Sequence, residues 1–276
     1  MESTESTLEL FELEMLGGIA TERYRKLRPE VEDLPWGTLD PSTMDPIVVR
    51  AARKAWTGAA FQEFRTGAAC AATLEALIKA RAPIDLIALA SRFPLDEMVH
   101  VEMCSRIVGE LGGGIELAYN PKYLIWTVPE GTPMQEASHW VVSNFCVGEA
   151  LSIPLLQGTC NATSHPLLRG VMRRIVLDEA DHGTFGWLFL DWADAFLSTE
   201  DKIELGKTAD GFIQSILERW GEIRSGEIYD IHQAEALGWM QSESYLELAE
   251  KSLKRNVIKP LENRGIPISV KPLVAS

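Results

Sequence analysis

The chain has 276 residues, 46% of them hydrophobic, and a formal net charge of −14. That length and apolar fraction allow one domain with a sizeable core and an appendage. The acidic balance argues against nucleic acid and anionic membrane as partners.

Residues 1–45 read as an arm with one short helix near Leu8 to Leu27, punctuated by Leu34-Pro35-Trp36-Gly37 and Asp40-Pro41. Its acidic start, Met1-Glu2-Ser3-Thr4-Glu5, lacks the basic and apolar regions of a signal peptide. Asp45-Pro46 opens a helix that runs to about Ala80. A second helix is expected from about Pro83 to Leu111, stopped by Gly112-Gly113-Gly114. Pro94 inside it either bends the helix or breaks it in two.

Residues 115–133 form a long link carrying Asn120-Pro121 and Pro129-Glu130-Gly131. A third helix covers roughly Pro133 to Gly158, with a second kink at Pro154, and a fourth covers Pro166 to Phe196. Ser198 or Thr199 caps a fifth helix ending near Gly226. A last amphipathic segment spans Ser242 to Val257, and the tail from Lys259, with Pro260, Pro267 and Pro272, reads as extended. The chain is therefore expected to be all-α, with residues 198–276 packed on a helical domain at 46–197. No run of about 18 apolar residues marks a membrane span. None of the four cysteines forms Cys-x-x-Cys, and Cys70, Cys104 and Cys146 fall on apolar helix faces. This pattern suits reduced thiols in a cytoplasmic protein.

Two of the helices carry the same string: Leu95-Asp96-Glu97-Met98-Val99-His100 and Leu177-Asp178-Glu179-Ala180-Asp181-His182. Glu and His three positions apart project from one helix face and can reach one metal ion. Each copy has a partner carboxylate upstream, Glu63 lying 34 positions before Glu97 and Glu149 lying 30 before Glu179. In an antiparallel hairpin, residues at one height are equidistant from the turn. The two midpoints, 80 and 164, fall on Ala80-Arg81-Ala82-Pro83 and Ser164-His165-Pro166. Glu75 is a rival to Glu63, but its midpoint with Glu97 falls inside an apolar run. The helical neighbours of all four glutamates are apolar or small, so these carboxylates are expected on core faces, where they need metal or proton partners.

The set Glu63, Glu97-x-x-His100, Glu149, Glu179-x-x-His182 resembles the ferritin-like di-iron carboxylate superfamily over about residues 46–197. The resemblance implies a four-helix bundle of two antiparallel hairpins joined by a long crossover. It also implies two Fe ions, or a mixed Mn/Fe pair, held by those six residues, and O₂ activation. Four carboxylates would neutralise two divalent ions, and carboxylate with imidazole suits Fe or Mn. Asp96 and Asp178 would orient the metal-bound His of the opposite hairpin, Asp178 on His100 and Asp96 on His182; helix-surface acids are the alternative. His139, His165 and His232 read as structural or exposed.

Departures narrow the reaction. Arylamine N-oxygenases carry an extra His where Ile175 stands, radical-storing reductase subunits need a Tyr beside the metals, and rubrerythrins need paired cysteines. The five tyrosines lie outside the four expected helices. Small residues near the ligands (Ala59, Ala60, Thr66, Gly67, Gly148, Ser152, Gly183, Gly186) mark either a substrate cavity or close helix packing. Thr66, one turn from Glu63, could deliver a proton during oxygen activation. The expected activity is oxidation of a small organic substrate by hydroxylation, N-oxidation, desaturation or oxidative rearrangement, in a monomer or homodimer served by an external reductase. A ferroxidase without organic substrate and a metal-stapled scaffold are the alternatives.

Overall fold

The computed structural model describes residues 8–224, 226 and 231–270, and these are mostly helical. The acidic segment 1–5, Tyr229 and Pro272 lie outside the described residues. Helix α1 (Gly18–Arg25) lies in the arm. Helix α2 (Pro46–Lys79) starts where Asp45 accepts from the Ile47 N–H at 2.8 Å and Pro46 occupies the first turn. It ends with Ala82 N–H on the Leu77 carbonyl and Arg81 N–H on the Ile78 carbonyl. This closure needs a left-handed residue, and Arg81 (φ 54°) takes the place usually given to Gly. The chain then reverses into α3 (Ile84–Glu110), which packs along α2 and closes the same way at Gly112 (φ 95°). Pro94 does not break α3.

The third rod has three parts: α4 (Pro133–Val141), a π-helical stretch Val142–Glu149 and α5 (Ala150–Ala162). A capping box at Thr132 and Gln135 starts it. The π-helical stretch is a departure from the plain helix expected, and it ends on Glu149. Pro154 does not interrupt α5. Helix α6 (Pro166–Ala193) packs on α5, on the π-helical stretch and on α3, while α4 packs on α2. Four long rods thus surround a core rich in Phe and small residues. Phe93, Phe145 and Phe185 make mutual ring contacts at 4.9–5.3 Å, and the Phe93 ring lies 4.2 Å from that of His182.

Helix α7 (Thr199–Arg224) lies against the π-helical stretch, and α9 (Ser242–Ser252) against α5. Between them in the chain lies a short helix, α8 (Ile231–Ala236), additional to the expected elements. The tail expected to be extended from Lys259 is instead helical at first. After a second π-helical run, Leu253–Ile258, comes α10 (Lys259–Glu262). Pro260 sits in the first turn, where its missing N–H is not needed. After a turn at 263–265 the chain runs over α7, where the Ser269 N–H donates to Asp210 at 2.9 Å. A Cβ on Gly206 would come within 2.2 Å of the Pro267 carbonyl oxygen, so that crossing requires glycine.

The arm is more structured than a lone short helix. Strand β1 (Glu9–Leu10) pairs antiparallel with β2 (Ala118–Tyr119), tying the arm to the long crossover. The Arg28 side chain is fully buried and pairs with Glu32 and with Glu102 on α3. The Tyr24 hydroxyl donates to the Met98 carbonyl at 3.3 Å. Among the described residues, no helix is long and apolar enough to cross a membrane.

Candidate metal centre

Each of the four rods delivers one acidic position to a common level. Glu63 comes from α2, Glu97 and His100 from α3, Glu149 from the end of the π-helical stretch, and Glu179 and His182 from α6. Ligand-type atoms of Glu63, Glu97, His100 and Glu179 lie within 4.8 Å of one another, as do those of Glu97, Glu149, Glu179 and His182. Glu97 and Glu179 belong to both groups, so the arrangement is two adjoining groups that share two carboxylates. Glu75, the rival on α2, is exposed and pairs with Lys79 at 2.7 Å.

The imidazoles are aimed. His182 Nδ1 lies 3.0 Å from Glu179 and 3.2 Å from Glu97. His100 Nδ1 lies 3.4 Å from Glu179, 3.6 Å from Glu63 and 3.7 Å from Glu97. The opposite ring nitrogens face aspartates across the α3–α6 seam, His100 Nε2 at 3.2 Å from Asp178 and His182 Nε2 at 3.6 Å from Asp96. Outside these aspartates stand two arginines, each one turn before its Asp. Arg92 Nε donates to Asp96 at 3.1 Å, and Arg174 Nε pairs with Asp178 at 2.8 Å. The repeated string therefore extends to Arg-x-x-x-Asp-Glu-x-x-His, a signal present in the sequence at 92–100 and 174–182 but overlooked there.

Several inward atoms have no hydrogen-bond partner: both Glu97 oxygens, Glu179 Oε2, His100 Nδ1 and His182 Nδ1. Orphaned buried polar atoms are rare because each costs desolvation free energy. Here they converge on the same two positions. A divalent cation at each would take up these lone pairs and balance the four carboxylates, so the residues present fit a pair of hard-to-borderline metal ions. A buried Glu/His group that could hold a metal ion is thus a feature of the fold.

Without a metal, the cluster is held by protons. Burial pushes the Glu63 carboxyl up to about 8, the neighbouring Glu97 and Glu179 adding to it against the pull of His100. Burial likewise raises Glu149, helped by Glu179 and Glu97. Burial would raise Glu179 as well, but the adjacent His100 and His182 imidazoles hold it well below the usual carboxylate range. Burial works to lower the imidazoles; Asp178 and the glutamates raise His100 instead, and Asp96, Glu179 and Glu97 push His182 up to about 12. A metal must displace these protons. Metal binding should therefore release at least two protons per chain near neutral pH, from the two imidazoles, and affinity should fall as pH is lowered. Calorimetric titration with Mn²⁺ in buffers of differing ionisation enthalpy measures the release directly; a value of zero would contradict this electrostatic picture.

Three of the glycines near the site are packed, not open. A Cβ on Gly67 would meet Met98 Cε at 2.5 Å, one on Gly183 Ile153 Cδ1 at 2.2 Å, and one on Gly186 Cys146 Sγ at 2.7 Å. Glu63 is the exposed edge of the cluster, its side chain 19% accessible. The Thr66 hydroxyl donates to the Gln62 carbonyl of its own helix at 3.0 Å. His139 bonds the Thr208 hydroxyl through Nδ1 at 2.7 Å, His165 Nε2 lies 3.3 Å from the Thr38 carbonyl, and His232 is exposed. All four cysteines are free and buried, and burial raises each thiol away from the reactive thiolate. Comparison with protein-family models, with curated proteins and with solved structures finds no match to this chain.

Proposed function

We propose that this chain is a di-iron oxidoreductase of the ferritin-like kind, using O₂ to oxidise a small organic molecule. One observation carries the reading: two four-residue ligand groups from four helices, buried except at the Glu63 edge and sharing Glu97 and Glu179. Glu63 and Glu149 would each serve one iron, Glu97 and Glu179 both, and His100 and His182 one each. Bound there, a pair of Fe²⁺ ions, or Mn with Fe, would supply the binding and reduction of O₂.

The chain's own residues account for the rest. Asp178 and Asp96 hold the imidazoles with Nδ1 turned inward. Phe93, Phe145 and Phe185 wall the His182 side and keep bulk water out. The accessible side of the cluster at Glu63 would be the route by which O₂ and substrate reach it, with Met98, which fills the space beside Gly67, as the flexible side chain that would move to make room. Thr66 would have to leave its bond to Gln62 before it could deliver a proton. A separate reductase would provide electrons to a cytoplasmic monomer or homodimer.

A second reading, a ferroxidase acting on iron alone, draws on the filled small-residue positions. One experiment separates them. Protein loaded anaerobically with Fe²⁺ should retain about two irons per chain, elute as a monomer or dimer, and consume O₂ with a visible absorbance change. A large assembly accumulating many irons per chain favours the ferroxidase; no bound iron and no O₂ uptake removes both.

A further inference from the structure

The two halves of the cluster are supported unequally. Behind His100, Asp178 is within hydrogen-bonding distance of Nε2 at 3.2 Å and is itself nearly inaccessible. Arg174 contacts Asp178 at 2.8 Å, and its other end contacts Glu30 of the arm at 2.7 Å. Glu30 lies in the single turn Pro29–Val31, which is pinned by buried Val31 and by fully buried Arg28. The buried Arg174 Nε–H is not aligned for a hydrogen bond, so its hold on Asp178 is ionic. A second guanidinium, Arg92, adds charge 3.9 Å from Asp178. Behind His182 the support is looser. Asp96 stands 3.6 Å away, His182 Nε2 has no hydrogen bond, and the only arginine contacting Asp96 among the described residues is Arg92, whose side chain is 59% exposed.

We propose that the N-terminal arm, through Glu30, Arg174 and Asp178, positions His100 and makes the Glu63/Glu97/His100/Glu179 position the tighter of two unequal metal sites. This inference rests on the metal-centre reading. A ligand held in its binding orientation loses less rotational freedom when the ion arrives, and partners one step behind a ligating His typically alter affinity about 10- to 100-fold. Glu30 and Arg174 are positioning residues; neither would touch the ion.

The test uses Mn²⁺ with the intact metal-free chain, free ion being counted from its solution EPR signal. Wild type should show two classes of site differing at least about tenfold in Kd. Glu149→Gln should retain the tight class and lose the weak one, and Glu63→Gln should do the reverse. Glu30→Gln and Arg174→Met should each weaken the tight class about tenfold and leave the weak class unchanged. Glu30 is substantially exposed, so Glu30→Gln should keep the metal-free melting temperature of wild type, separating positioning from folding. Two equal classes in wild type, or a Glu30→Gln isotherm that superimposes on wild type, overturns the inference alone. Absence of any Mn²⁺ binding by wild type overturns the metal centre itself.

Discussion

Glu179→Gln protein should bind neither metal ion. Glu179 is one of two carboxylates common to both ligand groups, with an oxygen 3.4 Å from His100 Nδ1 and another 3.0 Å from His182 Nδ1. Gln keeps the volume and removes the charge, so the change tests ligation and not packing. It lowers the charge available to two divalent ions from four carboxylates to three and leaves Glu97 as the single carboxylate common to both positions. Glu97→Gln should behave alike, whereas Glu63→Gln and Glu149→Gln should each cost one ion. The substitution also matters in the metal-free chain. Both imidazoles are raised partly by Glu179, and removing one partner from a buried ionic cluster typically costs about 3–5 kcal/mol. Metal content by elemental analysis and urea denaturation of the stripped protein measure the two effects. Full metal occupancy in Glu179→Gln would end the bridging assignment.

The second large effect concerns packing. Phe185→Ala should destabilise the fold by about 3–5 kcal/mol, the usual range for emptying a buried aromatic position. Phe185 is fully buried, with its ring 4.9 Å from Phe145 and 5.2 Å from Phe93. Phe93 in turn carries the His182 ring at 4.2 Å. The cavity would open beneath the imidazole that already lacks a hydrogen bond on Nε2. Metal affinity should therefore fall chiefly at the position containing His182. Denaturation should show a lower midpoint at an unchanged slope, because the surface exposed on unfolding is the same. A loss below about 1 kcal/mol would mean that the neighbouring rings collapse into the space.

The repeated Glu-x-x-His string was readable because helical spacing alone puts both side chains on one face. Glu63 and Glu149 were readable because a short turn forces equal heights on either side of it. Arg92 and Arg174 were readable in the same way and were missed: each stands four residues before its Asp, on the same helix face. The π-helical stretch before Glu149 left no such mark. Its ladder differs by one residue per turn, and no side-chain pattern separates it from an ordinary helix until neighbours select it. Strands β1 and β2, two residues each, are too short for alternation to register. Whether Gly67, Gly183 and Gly186 left space or closed it could not be decided along the chain, because the atoms that fill those places belong to other helices.

The sequence by itself determined the long helices of residues 46–197 and the ends of the first two, through Asp45, Pro46, the Gly112 stop and the apolar periodicity, and it named the six ligand-type residues. These are local matters, set by backbone chemistry and by spacing within one helix. Only the tertiary structure decided that the six converge as two overlapping groups, that Asp178 stands behind His100 and Asp96 behind His182, and that the arm reaches one of these through Arg174. Those relations depend on rotations of one rod against another and on a π-helical turn, degrees of freedom that no single stretch of chain encodes.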